Sequence, residues 1–187
     1  MNSKIRLATE HDAKALLAIY DPIIRDTAFT FEVQSPGVDE FRRRIRSTMK
    51  LMPWLVYECE GEIAGYAYGG RHHERAAYQW SANVSIYIAA THQRKGIARQ
   101  LYGALLPVLR TLGFYNVYGG ITVPNDPSIA LHESFGFRPT AMYKNVGYKF
   151  GKWHDVGYWH LALRPYDLPS GPPSTDYRAS FSATSDL

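Results

Sequence analysis

Apolar residues recur every three or four positions at Ala13, Leu16, Leu17, Tyr20 and Ile24, which predicts an amphipathic helix. Ile5-Arg6-Leu7 before it reads as a short strand, and Thr9 with Asp12 three residues on reads as a capping-box variant. After a loop holding Phe29 and Phe31, Ser35-Pro36-Gly37 opens a second helix with Val38, Phe41, Ile45 and Met49 on one face, ended by Pro53. Strands are predicted over Leu55 to Cys59 and Ile63 to Tyr68, joined at the turn Glu60-Gly61. Gly69-Gly70 is expected to break the second of them. A strongly polar loop, Arg71 to Arg75, leads into strict alternation: Ala82, Val84, Ile86 and Ile88 on one face, Ser81, Asn83, Ser85 and Tyr87 on the other.

After Gly96 the period turns helical again through Ile97, Leu101, Ala104, Leu105, Val108 and Leu112. Gly113 is the expected C-cap, and Pro107 is expected to bend the helix. Val117 to Val123 is a strand. Asp126-Pro127 reads as an N-cap followed by proline at the first helical position, opening a short helix that ends at Gly136. Strands about Thr140 to Val146 and Trp153 to Leu163 close the series. Helices interleaved with strands in this order imply an α/β fold, a mixed sheet covered by helices on both faces. Residues 1–164 form one domain on this reading, and the Pro- and Ser-rich stretch 165–187 is expected to be a mobile tail.

Composition narrows the functional classes. The 187 residues suffice for one domain with a real core. A net charge of +4 favours an anionic ligand but is too weak to argue for nucleic acid. The cluster Arg42-Arg43-Arg44 with Arg46 lies on a predicted helix, where a solvated face accounts for it. The single cysteine, Cys59, excludes an internal disulfide and falls in an apolar strand. No signal-peptide core is present, and no run approaches the roughly 20 apolar residues of a membrane span. A reducing cytoplasm is the expected setting.

The strand Ile86-Tyr87-Ile88 leads through Gln93 into Arg94-Lys95-Gly96-Ile97-Ala98-Arg99 at a helix start. A helix N-terminus offers unpaired N–H groups and partial positive charge, which suit a phosphate. Gly96 lets backbone approach an anion, and Arg94, Lys95 and Arg99 add charge. A pyrophosphate fits; a plain basic helix start is the alternative. Neither the dinucleotide G-x-G-x-x-G pattern nor a Walker G-K-[ST] is present.

Followed by this helix, the Q/R-x-x-G-x-G/A pattern resembles the acetyl-CoA loop of the GNAT superfamily of N-acetyltransferases. The resemblance implies a mixed, mostly antiparallel central sheet and acetyl-CoA as co-substrate. It also implies that the backbone of Ile86, Tyr87 and Ile88 pairs with the pantetheine arm. Ala77-Tyr78-x-Trp80, Pro124 to Ser128, Leu131-His132-Glu133, Gly147-Tyr148-Lys149 and Trp153 to Trp159 are similar to the phosphinothricin and arsinothricin N-acetyltransferases. That group acetylates the α-amine of small glutamate-like amino acids such as phosphinothricin, methionine sulfoximine and arsinothricin, and thereby confers antibiotic resistance. The similarity runs from about Ile5 to Leu163 and also implies a homodimer.

Direct attack through a tetrahedral intermediate needs a neutral amine, donors for the carbonyl oxygen and a proton for the departing thiolate. Where the family carries a glutamate base, this chain has Asn83, which cannot accept a proton. Substrate-side deprotonation or a water held by Asn83 and Ser85 would replace it. A CoA-binding or sensing module without turnover is the alternative. The resemblance makes His132 the candidate proton donor to the thiolate, and Asn125 and Ser134 pocket residues for CoA. His73, Glu74, Arg75, Tyr78, Phe29 and Val156 become acceptor-site residues. Adjacent His72 and His73 lack a third ligand at a recognisable spacing, so no metal is expected. Trp153-His154-Asp155 has no activated serine or cysteine beside it and reads as hairpin structure or a subunit contact. An acceptor of peptide amines is a third reading.

Overall fold

The computed structural model describes residues 3–185. In chain order the elements are β1 (Ser3–Leu7), α1 (Ala13–Asp26), α2 (Gly37–Thr48), β2 (Trp54–Cys59), β3 (Glu62–Arg71), β4 (Ser81–Ile88), α3 (Ile97–Thr111), β5 (Asn116–Val123), α4 (Asp126–Ser134), β6 (Arg138–Lys149), β7 (Lys152–Ala162) and α5 (Tyr177–Ser185). The seven strands form one sheet in the order β1-β2-β3-β4-β5-β7-β6. Every neighbouring pair is antiparallel except β4 and β5, which run parallel.

Two cores lie on opposite faces of this sheet. Ala82 and Val84 of β4 join Leu101, Tyr102, Leu105 and Leu109 of α3 on one face. On the other, Leu16, Tyr20 and Ile24 of α1 meet Phe41 and Ile45 of α2 over Val56 and Tyr66. The alternation along β4 therefore carries Asn83, Ser85 and Tyr87 to the α1–α2 face. No helix among the described residues is long and apolar enough to cross a membrane.

Local chemistry sets most boundaries. The Thr9–Asp12 capping box is formed, with the Thr9 amide donating to Asp12 Oδ2 at 2.7 Å. Glu60 and Gly61 take φ of 52° and 85°, the left-handed pair that a tight hairpin requires. The arginines of α2 are not merely solvated: Arg43 and Arg44 both pair with Glu40, Arg44 also with Glu32, and Arg46 with Glu10. Cys59 is half-buried and free.

Two expectations need correction. Gly69 and Gly70 do not break β3; they pair with Val84 and Asn83, and the strand runs on to Arg71. A Cβ on Gly69 would stand 3.2 Å from Leu109 Cδ2, so α3 packs directly against that backbone. The N-cap of α4 is Asn125, not Asp126: its Oδ1 accepts from the Ser128 amide at 3.3 Å. The stretch from Pro165, expected to be a mobile tail, makes contacts with the domain. The Trp80 indole donates to Gly171 O, the Ser174 amide donates to Leu112 O, and Tyr177 of α5 is buried against the α3 core with its hydroxyl on Met49 O.

Candidate functional site

The parallel pair β4–β5 is bonded over only three positions: Ser81 with Asn116, Ala82 with Val117, and Asn83 with Tyr118. Beyond Asn83 the strands part. Ser85, Ile86, Tyr87 and Ile88 thus have a β3 partner on one edge and none from β5 on the other. A splayed parallel pair leaves backbone donors and acceptors available to an extended ligand. At the far end of the same strand lies the predicted phosphate turn. Arg94 and Gly96 take φ of 59° and 78°, Arg94, Lys95 and Arg99 are exposed, and Ile97 and Ala98 begin α3. A Cβ on Gly96 would meet nothing within 4 Å, so the turn presents open backbone. Arg99 also stands over the Phe135 ring, 5.7 Å from its centroid. Notch and turn fit a long ligand ending in phosphates.

Asn83 stands where the notch opens. Its Nδ2 donates to Arg71 O at 3.3 Å, and its Oδ1 is 2.9 Å from His72 Nδ1. The His72 ring stacks on Tyr118, with centroids 4.4 Å apart and planes at 26°. His73 packs on Tyr78 at 4.7 Å, and the Arg75 amide donates to His73 Nδ1. Ser85 lies one step along the same face, directly across from Tyr68. The structure thus gathers Asn83, Ser85, His73 and Tyr78, with Arg75 and Glu74 exposed on the same loop.

Near Phe29, the expected aromatic wall, stands a second exposed phenylalanine, Phe31. Phe29 is half exposed, whereas Phe31 lies so close to Gly147 of β6 that a Cβ there would sit 2.1 Å from its ring. Phe31 also meets the His154 ring at 6.2 Å. Lys149 holds this arrangement by donating to Ile24 O and Thr30 O, which ties the loop after α1 to the last hairpin. Burial lowers its ammonium below the usual lysine range. Val156 is half-buried on β7, opposite Thr122 and Tyr143. His154 and Asp155 serve the hairpin itself, bonding Lys149 O and Lys144 with Asn145.

His132 is enclosed. It is 3% exposed, and its Nδ1 lies 2.8 Å from Ser128 O, which can only accept. Nδ1 therefore carries the proton, and Nε2 accepts from the Tyr102 hydroxyl at 3.0 Å. Burial lowers its pKa. The ring fits only because position 119 is glycine: a Cβ there would lie 2.4 Å from Nε2. It packs with Tyr102 and Phe137 of the α3 core, so it reaches β5 from the face opposite Asn83. In this arrangement both ring nitrogens are bonded within the protein, and the Tyr102 hydroxyl stands between Nε2 and any group beyond it. Asn125 spends its Oδ1 on the cap, and Ser134 Oγ donates to Leu131 O. Among the described residues no group of three His, Cys, Asp or Glu side chains is placed to hold a metal.

Sequence reasoning missed His72, Tyr118 and Phe31. Extending β3 through Gly70 to Arg71 would have found the first: Gly70 is opposite Asn83, and His72 lies two residues further on the same side, a diagonal neighbour.

Comparison with known proteins agrees with this geometry. The acetyltransferase (GNAT) domain family matches residues 5–157. The phosphinothricin N-acetyltransferase of Streptomyces viridochromogenes is 37% identical over 169 residues, 90% of this chain and 91% of that protein. The L-methionine sulfoximine/L-methionine sulfone acetyltransferase of Salmonella typhimurium is 32% identical over 166 residues, 88% and 97% of the two chains. The crystal structure of a GNAT superfamily phosphinothricin acetyltransferase from Sinorhizobium meliloti, in complex with acetyl-CoA, superposes with a TM-score of 0.84 at 28% identity, covering 91% and 96%.

Proposed function

From the membership of this chain in the GNAT acetyltransferase family, as an N-acetyltransferase, we propose that it moves the acetyl group of acetyl-CoA to the α-amine of a small glutamate-like amino acid or analogue. The observation that carries this reading is the parting of β4 and β5 at Asn83–Tyr118, with the Arg94–Arg99 turn at the other end of β4. In it, the pantetheine arm lies along the free edge of Ser85 to Ile88 and the pyrophosphate on the amides of the turn. The acetyl group then comes to the vertex, beside Asn83.

The acceptor enters from the α1–α2 face. Arg75 supplies positive charge and, with His73, N–H donors for its carboxylate and acidic side chain, Tyr78 a hydroxyl, and Phe29 and Phe31 with Val156 apolar walls. The relatives named for phosphinothricin and methionine sulfoximine point to the same acceptor class. The exposed Tyr143, Tyr148 and Trp153 of the last hairpin form an aromatic patch suited to a homodimer contact. The single free cysteine accords with a reducing compartment such as the cytoplasm.

The second reading is a CoA-binding module without turnover. It draws on Asn83, whose amide cannot take a proton. Release of CoA thiol, followed with phosphinothricin, methionine sulfoximine and arsinothricin, tests both. Turnover with the acidic analogues supports the enzyme reading; acetyl-CoA binding with no turnover across the panel refutes it.

A further inference from the structure

The family's glutamate is absent at position 83, yet the site is not left without a base. We propose that His72 is the general base of this enzyme, held in its working tautomer by Asn83. The inference rests on the acetyl-transfer reading above and adds the group that removes the proton.

The geometry fixes the tautomer by elimination. Arg71 O can only accept, so the Asn83 amide must turn Nδ2 towards it, at 3.3 Å. That leaves Oδ1 facing His72 Nδ1 at 2.9 Å, and Oδ1 can only accept. The proton of the neutral ring therefore resides on Nδ1, and the basic lone pair on Nε2. No group among the described residues hydrogen-bonds Nε2. An asparagine thus does for this ring what a carboxylate does in a catalytic triad, except that it supplies orientation without full charge.

Position agrees with the role. His72 is half-buried, bonded to one strand of the splayed pair and stacked on the other, at the last rung before they part. The Tyr118 ring under the imidazole, with centroids 4.4 Å apart, fixes the plane in which Nε2 points. Imidazole is also the side chain whose charge changes between pH 5 and 8, which suits a base working near neutrality. His72 and Asn83 together replace one glutamate, one side chain supplying the lone pair and the other aiming it.

Nε2 takes one proton from the acceptor ammonium. The freed amine pair forms the C–N bond to the thioester carbonyl, and the C–S bond breaks with its electron pair on sulfur. The second proton leaving nitrogen ends on that sulfur as the CoA thiol, and the imidazolium returns its proton to solvent.

The test compares wild type with His72→Ala and His72→Gln, using phosphinothricin and methionine sulfoximine as acceptors. The expected loss in kcat is about 100-fold, within the range for a general base, with the KM for acetyl-CoA and the melting temperature nearly unchanged. Free imidazole is expected to restore part of the His72→Ala rate, and Asn83→Glu in that background to restore more. Independently of turnover, nitrogen-15 NMR of the free protein is expected to show His72 protonated on Nδ1, and that signature lost in Asn83→Leu. An Nε2-protonated ring, an unchanged rate in both variants, or a loss that neither imidazole nor Asn83→Glu recovers would overturn the assignment. A wild type that acetylates nothing in the panel overturns the acceptor reading and this inference together; an active wild type indifferent to His72 overturns this inference alone.

Discussion

Two histidines flank the central strands from opposite faces, and their second nitrogens separate their roles. His132 sits under the sheet with Nδ1 on Ser128 O and Nε2 on the Tyr102 hydroxyl, in a space that only Gly119 leaves open. His72 sits above it with Nδ1 on Asn83 and Nε2 unclaimed among the described residues. The first ring is buried and doubly bonded, and so contributes to packing and polar satisfaction. The second is half open and singly bonded, and so retains a lone pair for chemistry. A histidine in a catalytic motif is thus not identified as a proton carrier until both nitrogens are accounted for.

That contrast makes stability and rate come apart. The largest effect is expected for His132→Ala, which removes a buried ring and leaves the buried Tyr102 hydroxyl without its acceptor. A loss of roughly 2–4 kcal/mol is anticipated by denaturant unfolding, whereas His72→Ala should lie within about 0.5 kcal/mol of wild type. If the two variants lost similar stability, the closed-versus-open distinction would fail. Next comes Gly119→Ala, whose new methyl would drive into the His132 ring. It should cost about 1–3 kcal/mol through overpacking, read as a lower unfolding midpoint.

Tyr102→Phe is sharper although smaller. It deletes only the hydroxyl that donates to Nε2, so about 1 kcal/mol of stability should go while the acetylation rate holds. A large fall in kcat there would instead give the Tyr102–His132 pair a proton-transfer role at the thiolate. The smallest effect is a pH slope. Burial depresses the pKa of His132, and of His160 as well, below the unfolded value, so the unfolded chain binds more protons in that window. The stability these rings contribute is therefore present above the usual imidazole range and is lost as pH falls through it. His132→Gln should flatten that slope in urea melts between pH 7 and about 5.

Much of this was legible in the chain. The helical stripes of α1, α2 and α3, the β4 alternation, the Glu60-Gly61 turn and the Arg94–Arg99 turn all follow from local spacing, and the structure matches them. What was not legible depends on pairing across distance. Gly69 and Gly70 look like a strand end by composition, but β4 supplies the ladder that carries them through. His72 is a loop residue one step past β3, and its place beside Asn83 follows only from the β3–β4 register. Tyr177 looked like part of a mobile tail because nothing nearby in sequence shows the α3 groove that receives it. Phe31 and Phe29 are equivalent in one dimension; that Phe31 rests on Gly147, more than a hundred residues on, shows only in the fold.

Acetyl transfer itself is most directly tested by mass-spectrometric detection of the N-acetylated acceptor formed from phosphinothricin and acetyl-CoA by wild-type protein, quantified against the CoA thiol released. One acetylated α-amine per thiol is expected, with turnover well above the protein-free rate. Tight acetyl-CoA binding with no acetylated product from phosphinothricin or its analogues would contradict it and leave a CoA-binding module in its place.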